Sequence, residues 1–385
     1  MINSFEGGGA EALNLSLATA IHFDSIILLE DIIELNVEEI KTPIWSVSKR
    51  LKIPGAFKYL ITTYYARILK RKIIQDGCTE AVFIVSLLRS LDVAIQLKKM
   101  ASAICNIKVI YWEHANPTYY QHKIGQFPLL KKLYASCDHI LLNSMNAREY
   151  LTRSLNIPAN QTSVFYNFFD FNKIKKLSNL SISNDHRKIF NKKTLVYVGR
   201  LHKYKGLEFL FEVFNHIALS NEEIQLVIVG KGPLKKYLEN LTHKLNLENR
   251  VFFIGFTKNP YPYIKLADAL ISPSENEGFG NVLVESILCG TPVFASDIDN
   301  GPREILAPDT QFALRTNQTE WAKFGILLPS PKQQPSVISN WTESILEFFK
   351  VPNKQLRYQD LPTADFSNFS LTLQANTLKE LINKI

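Results

Sequence analysis

Glu277 and Glu285 bracket a glycine-rich turn in the stretch SENEGFGNVLVESILCGTP, Ser274 to Pro292. The residues ahead of it, ALIS, read as a buried strand that Pro273 ends. Gly278 and Gly280 carry no side chain, so backbone N–H groups there can come close to a ligand. The spacing predicts a short apolar helix from near Asn281 to Gly290, with the glycine as its C-cap. A strand, a glycine turn and a helix N-terminus together make an anion site. Glu285 lies on the same helix face as Asn281, about 6 Å further along the axis. An anion on the helix start would therefore have one carboxylate on each flank. A nucleotide-sugar suits that layout, with its diphosphate in the middle, sugar hydroxyls at one end and ribose hydroxyls at the other. The bland alternative is two solvated glutamates around a buried helix.

A second cluster, GRLHKYKG, occupies 199–206. Arg200 ends a buried strand, and Lys205 precedes a helix that starts near Gly206. Both cations would project over the carboxyl edge of the sheet, towards the turn at Gly278–Asn281. Breaking a sugar–phosphate bond leaves a nucleoside diphosphate with extra negative charge, and fixed cations stabilise that charge as it develops. A solvated basic loop is the competing reading. Gly230 and Gly232, in VGKGP, form another strand-end turn. His114, in KVIYWEHANP, follows the carboxyl end of a strand, where open α/β sheets place ligands. A lone histidine at such a place is more often structural. Gly8 and Gly9 open a helix at the start of the chain, as a ligand turn or a plain tight turn.

EGFGNVLVE resembles the E-x7-E signature of the retaining GT-B glycosyltransferases, glycosyltransferase family 4 (group 1). The resemblance implies that Glu277 hydrogen-bonds donor-sugar hydroxyls and that Glu285 holds the ribose. It implies that Arg200 and Lys205 hold the donor diphosphate, with Gly230, Gly232, Gly278, Phe279, Gly280 and Asn281 around the donor. The backbone at Ile254–Phe256 would meet the base. His114 corresponds to a histidine near the anomeric carbon, so the catalytic set reads His114, Glu277, Arg200 and Lys205. GGGAE at Gly7–Glu11 is similar to the family's N-domain turn, with Gly8 and Gly9 near donor phosphate or acceptor. Retention would proceed by front-face attack, with the leaving-group oxygen as base for the incoming hydroxyl. The nucleotide-sugar would be a substrate, and the resemblance implies no cofactor and no metal. Asp297 and Asp299 spell a DxD metal pattern, but they read better as part of a loop.

The fold expected is α/β, a GT-B arrangement of two Rossmann-like domains with parallel sheets facing across a cleft, and a C-terminal helix returning to the N-domain. A chain of 385 residues fits two domains. Residues 1–176 read as the acceptor-side domain, 177–193 as a polar linker, 194–350 as the nucleotide-sugar domain, and 351–385 as a crossover segment and final helix. Strands are expected at 25–29, 81–86, 108–113, 139–144 and, in the second domain, 194–200, 225–229 and 250–256. Ser144 reads as the N-cap of the next helix as readily as a ligand contact. Almost no strand precedes the turn at Gly7–Gly9. A chain that starts upstream or is truncated is therefore expected, with the first strand largely missing.

A net charge of +8 favours anionic partners. The stretch 49–72 is rich in Lys and Arg, has no acid, and interleaves Phe57, Tyr59, Tyr64 and Tyr65. That composition suits an anionic membrane surface, or else a core helix with a solvated basic face. No nucleic-acid motif accompanies it. His122 and Lys123 lie in an aromatic, basic segment that could touch an acceptor phosphate. Four cysteines without metal spacing fit reduced core thiols in a cytoplasmic protein, peripheral on the inner face of the membrane at most. No apolar run reaches the roughly 18 residues that span a bilayer. The first residues, with an early Glu6 and no basic start, do not read as a signal peptide.

The expected function is transfer of a sugar from a nucleotide-sugar, UDP-linked by family weight, to a glycan or lipid-linked saccharide acceptor, with retention, in cell-envelope polysaccharide or lipopolysaccharide synthesis. Two alternatives stand beside it: a GT-B sugar-nucleotide epimerase, and an inactive nucleotide-sugar-binding or scaffold protein.

Overall fold

The computed structural model describes residues 1–5, 9–49, 61–120, 126–332, 337–350 and 363–385. They divide into two units, Met1–Phe168 with Asn368–Ile385, and Phe169–Ser367. Gly7, Gly8, His122 and Lys123, and the 50–60 part of the basic stretch, lie outside the described residues.

In the first unit the strands are β1 (Ile26–Glu30), β2 (Ile44–Ser48), β3 (Glu80–Ser86), β4 (Asn106–Glu113), β5 (His139–Leu142) and β6 (Thr162–Val164). β1 pairs with β2, and β3 to β6 pair in order, all in parallel. The place ahead of the glycine turn, for which the sequence offers almost no strand, is taken by Met1–Phe5. The Ile2 N–H donates to Ile27 O at 3.0 Å, and the Leu29 N–H donates to Ile2 O at 3.1 Å. On the other side the Ser86 N–H donates to Met1 O at 3.0 Å. Five residues thus join β1 to β3, with Ile2 and Phe5 buried. A short segment suffices because backbone groups inside a sheet must be paired, and both neighbours offer free edges.

Helices cover both faces of this sheet. α1 (Gly9–Ala20) and the last helix pack Leu13, Leu17, Ala375 and Leu378 against Trp112 and Leu141. α2 (Thr62–Gln75), α3 (Leu88–Ala101) and α4 (Gln126–Ala135) cover the other face, with Tyr65, Leu69, Leu91, Leu97, Leu130 and Tyr134 in its core. α5 (Met145–Glu149) starts at Ser144, whose hydroxyl accepts from the Ala147 N–H at 3.1 Å. Ser144 is therefore a helix cap, one of the two roles its sequence position allowed.

The second unit opens with α6 (Phe171–Ser178), capped by Asp170, and α7 (Asn184–Ile189), capped by Ser183. The polar stretch 177–193 therefore carries a short helix of its own and lies within this unit. Its strands are β7 (Lys193–Val198), β8 (Ile224–Val229), β9 (Val251–Gly255), β10 (Ala269–Ser272), β11 (Val293–Ser296), β12 (Glu320–Trp321) and β13 (Ile326–Leu328). The sheet order is β12-β13-β11-β10-β7-β8-β9, parallel except for β12. The helices between them are α8 (Leu207–Ser220), α9 (Lys235–Lys244), α10 (Tyr261–Leu266), α11 (Asn281–Leu288) and α12 (Pro302–Leu306), and α13 (Val337–Lys350) follows the last strand. The last helix of the chain, α14 (Leu371–Lys384), belongs to the first unit. Near-continuous apolar strands such as Ile224–Val229 are buried along their whole length, as crossover helices on both faces require.

Candidate active site

β10 and β7 are adjacent and parallel, so the loops that follow them leave the sheet at the same edge. Those loops hold both sequence clusters. They are fastened to each other: the Glu275 N–H donates to Tyr204 O at 3.0 Å. Gly206 sits at φ +65, and a Cβ there would meet Pro273 O at 1.9 Å. Only glycine allows both that backbone conformation and that approach. The result brings the Lys205 ammonium 2.5 Å from Glu277 Oε1, with the lysine side chain 27% exposed and the glutamate 12%. Ser274 Oγ, itself buried, donates to the same Oε1 at 2.7 Å.

Behind the turn, Gly280 adopts φ +96 and leads into α11. Glu285 lies one turn into that helix, and the Tyr261 hydroxyl approaches its Oε1 at 3.5 Å. Burial pushes the Glu285 carboxyl up to about 7. Burial also raises the Tyr261 phenol, followed by the negative charge of Glu285. The sequence alone assigns no role to Tyr261 or Ser274. Each sits among ordinary turn and helix residues, and only the fold carries it to a glutamate.

Arg200 is exposed just beyond β7, and its carbonyl accepts from the buried Tyr197 hydroxyl at 3.0 Å. Gly230 and Gly232 follow β8, the neighbour of β7 on its other side. A Cβ on Gly230 would lie 1.9 Å from Gly199 O, and one on Gly232 would lie 2.3 Å from Leu201 O. Both glycines therefore let the two strand-end loops touch, which shapes the ground beneath Arg200. Phe279 is 2% exposed, so its ring is core and only its backbone is available to a ligand.

The structure brings Arg200, Lys205, Glu277 and Glu285 to one edge of one sheet. Asp297 and Asp299 serve other partners. Asp297 is buried, 2.5 Å from Arg303, which also pairs with Glu320 at 2.7 Å. Asp299 pairs with Arg315 at 2.5 Å. Their charges are taken up by separate arginines, in keeping with the loop reading.

His114 belongs to the first unit and follows β4. Its Nε2 lies 3.0 Å from Ser86 Oγ, and Asn14 Nδ2 donates to that hydroxyl at 2.9 Å. Its ring lies 4.4 Å from that of Trp112. Burial lowers its pKa to about 3, so the imidazole is neutral near pH 7. Glu113 points the other way, as alternation along a strand demands. Its carboxylate accepts from the Tyr134 hydroxyl at 2.5 Å and from the Ala115 N–H at 2.9 Å. Gly9 is the first residue of α1.

Residues 180–324 match the family model described as glycosyl transferases group 1. An uncharacterized glycosyltransferase of Methanocaldococcus jannaschii is 30% identical over 238 residues, 60% of this chain and 59% of its own length. The chain thus spans less than two thirds of that relative. A Campylobacter jejuni enzyme, N-acetylgalactosamine-N,N'-diacetylbacillosaminyl-diphospho-undecaprenol 4-alpha-N-acetylgalactosaminyltransferase, is 29% identical over 323 residues, covering 80% of this chain and 82% of the enzyme. Among solved structures, Anabaena HepE in complex with UDP and glucose superposes with a TM-score of 0.76 at 18% identity, over 100% of this chain and 99% of HepE. That likeness is one of fold, the GT-B fold. Residues 180–324 are thus similar to a glycosyl transferases group 1 domain, and the chain carries them in a GT-B fold.

Proposed function

We propose that the protein moves a sugar from a UDP-linked nucleotide-sugar to a glycan or lipid-linked saccharide, with retention at the anomeric carbon, in building cell-envelope polysaccharide or lipopolysaccharide. The observation that carries this reading is the Lys205–Glu277 pair at 2.5 Å, formed at the sheet edge where α11 begins. A cation for the diphosphate stands beside a carboxylate for the sugar, and Glu285 stands one helical turn away for the ribose. Arg200 supplies a second cation. The Campylobacter relative, whose name specifies a diphospho-undecaprenol saccharide, supports a lipid-linked acceptor. α2 supports a peripheral membrane position: Arg67 and Arg71 are exposed on one face with Tyr64 and Ile74. Basic and apolar residues on one exposed face suit the surface of an anionic bilayer. His114, neutral and held by Ser86, is the first unit's contribution to the reading.

The test is a screen of labelled UDP-sugars and GDP-mannose, with and without bacterial lipid extract. Label passing from one UDP-sugar into an extractable lipid-linked product supports the reading. Turnover of the sugar-nucleotide to an epimer, without any acceptor, overturns it in favour of epimerisation.

The raised Glu285 carboxyl predicts a pH dependence. In the free protein burial holds this carboxyl at about 7, so much of it is protonated at pH 6. Ribose hydroxyls donating to the carboxylate favour its ionised form, which lowers the bound pKa. Affinity for UDP therefore rises as pH increases through about 7 and levels off above it. Between pH 6 and 8 the gain is about tenfold in the wild type beyond that in Glu285→Gln. The UDP phosphate titrates equally in both proteins, so their difference isolates Glu285. Identical pH profiles, measured by titration calorimetry, would show that Glu285 does not meet the ribose.

A further inference from the structure

We propose that Ser274 is a positioning residue for Glu277, and that its hydroxyl decides which carboxylate oxygen is left for the sugar. The inference rests on the donor reading above and adds a residue to it. Glu277 Oε1 receives two donors, the Lys205 ammonium at 2.5 Å and the Ser274 hydroxyl at 2.7 Å. A carboxylate oxygen that already accepts two strong hydrogen bonds has little capacity for a third. Oε2 is therefore the oxygen that takes donor-sugar hydroxyls.

The two donors on Oε1 differ in rigidity. Lys205 reaches it along a flexible stem and is itself the cation assigned to the diphosphate. When a diphosphate arrives, the ammonium is shared between phosphate and carboxylate. Ser274 is 2% exposed and stands next to Pro273, whose carbonyl packs against Gly206. It cannot follow a ligand. With two methylene-linked torsions before its carboxyl group, Glu277 needs one fixed partner to hold its plane, and of these two donors Ser274 is the one built into the frame. Its place three residues ahead of Glu277, across the bend that follows Pro273, lets a short side chain reach the carboxylate.

The experiment separates sugar from nucleotide. Ser274→Ala, Ser274→Thr and Glu277→Ala are made in the full chain. For each, kcat/KM is measured with the nucleotide-sugar that the wild type turns over, and the Kd for UDP by calorimetry. The expected result for Ser274→Ala is a loss in kcat/KM of about tenfold to a hundredfold, the range for a hydrogen bond to a charged group. Its Kd for UDP stays within about twofold of the wild type, because the Ser274 hydroxyl donates to the carboxylate assigned to the sugar. Ser274→Thr keeps the hydroxyl and recovers most of the loss. If Ser274→Ala does not fold, Ser274→Cys replaces it, with the same expectations, since a thiol fills the space but donates weakly.

Wild-type kcat/KM in the alanine variant would overturn the proposal. So would parallel losses in UDP binding and turnover, which a merely structural role produces, or a threonine variant as impaired as alanine. The control keeps the two readings apart: Glu277→Ala retaining transfer removes the donor reading itself. An inactive Glu277→Ala beside a fully active Ser274→Ala removes only the role of Ser274.

Discussion

Glu277→Ala is expected to abolish transfer, with kcat/KM for the nucleotide-sugar falling by at least about a thousandfold, more than ~4 kcal/mol of transition-state stabilisation. Two losses combine in one substitution. On the proposed reading, the sugar loses the carboxylate that orients its hydroxyls, and misplacement of a reacting sugar is costly by itself. Lys205 loses its 2.5 Å partner, and with it the constraint that keeps the ammonium at the diphosphate position. UDP lacks the transferred sugar, so its Kd is expected to change by no more than severalfold. Glu277→Gln separates the two losses. The amide oxygen can still accept from Ser274 and from the Lys205 ammonium, but the charge of the ion pair is lost, and an intermediate rate follows. Turnover within tenfold of the wild type in the alanine variant would mean that Glu277 does not grip the sugar.

Lys205→Ala is expected to lower kcat/KM by about a hundredfold to a thousandfold, or ~3–4 kcal/mol, the magnitude of one fixed group at a developing charge. The charge that grows during the reaction lies on the leaving diphosphate, so kcat falls along with donor affinity. Lys205→Arg retains charge but reaches differently and recovers part of the rate. Because Lys205 and Glu277 touch, their effects do not add. The double alanine variant should be less impaired than the sum of the two single losses, by about 1–3 kcal/mol of coupling. A double-variant cycle measures this in the assay used for transfer. Strict additivity would show that the ion pair has no part in turnover, and an unaltered rate in Lys205→Ala would remove its role at the diphosphate.

Much of the architecture was legible in the residues. Short, β-branched apolar runs such as QLVIV and TLVYV read as strands covered on both faces, and alternation with helical segments makes parallel crossovers. Parallel strands deliver their following loops to one edge. That is why GRLHKYKG and SENEGFGN could be expected at a common site before any contact was known. The final helix, expected within 351–385, is α14 at Leu371–Lys384. β2 and the short β12 and β13 drew no such expectation, since pieces of two to five residues carry too little periodicity to stand out.

Residue types and spacing determined the chemistry on offer: two carboxylates around a glycine turn, two cations after a strand, a histidine at another strand's end. Their contacts came only from tertiary structure. The pattern brings the two loops to one edge, but it says nothing of Lys205 and Ser274 converging on one oxygen of Glu277. Burial is likewise a property of the packed chain, and it raises Glu285 to about 7, lowers His114 to about 3 and turns Phe279 into core. The same packing commits Asp297 to Arg303 and lets five residues, Met1–Phe5, complete a sheet between two partners more than twenty positions away in the chain. A sequence pattern states which groups can act, and long-range packing decides which of them are desolvated, paired and held.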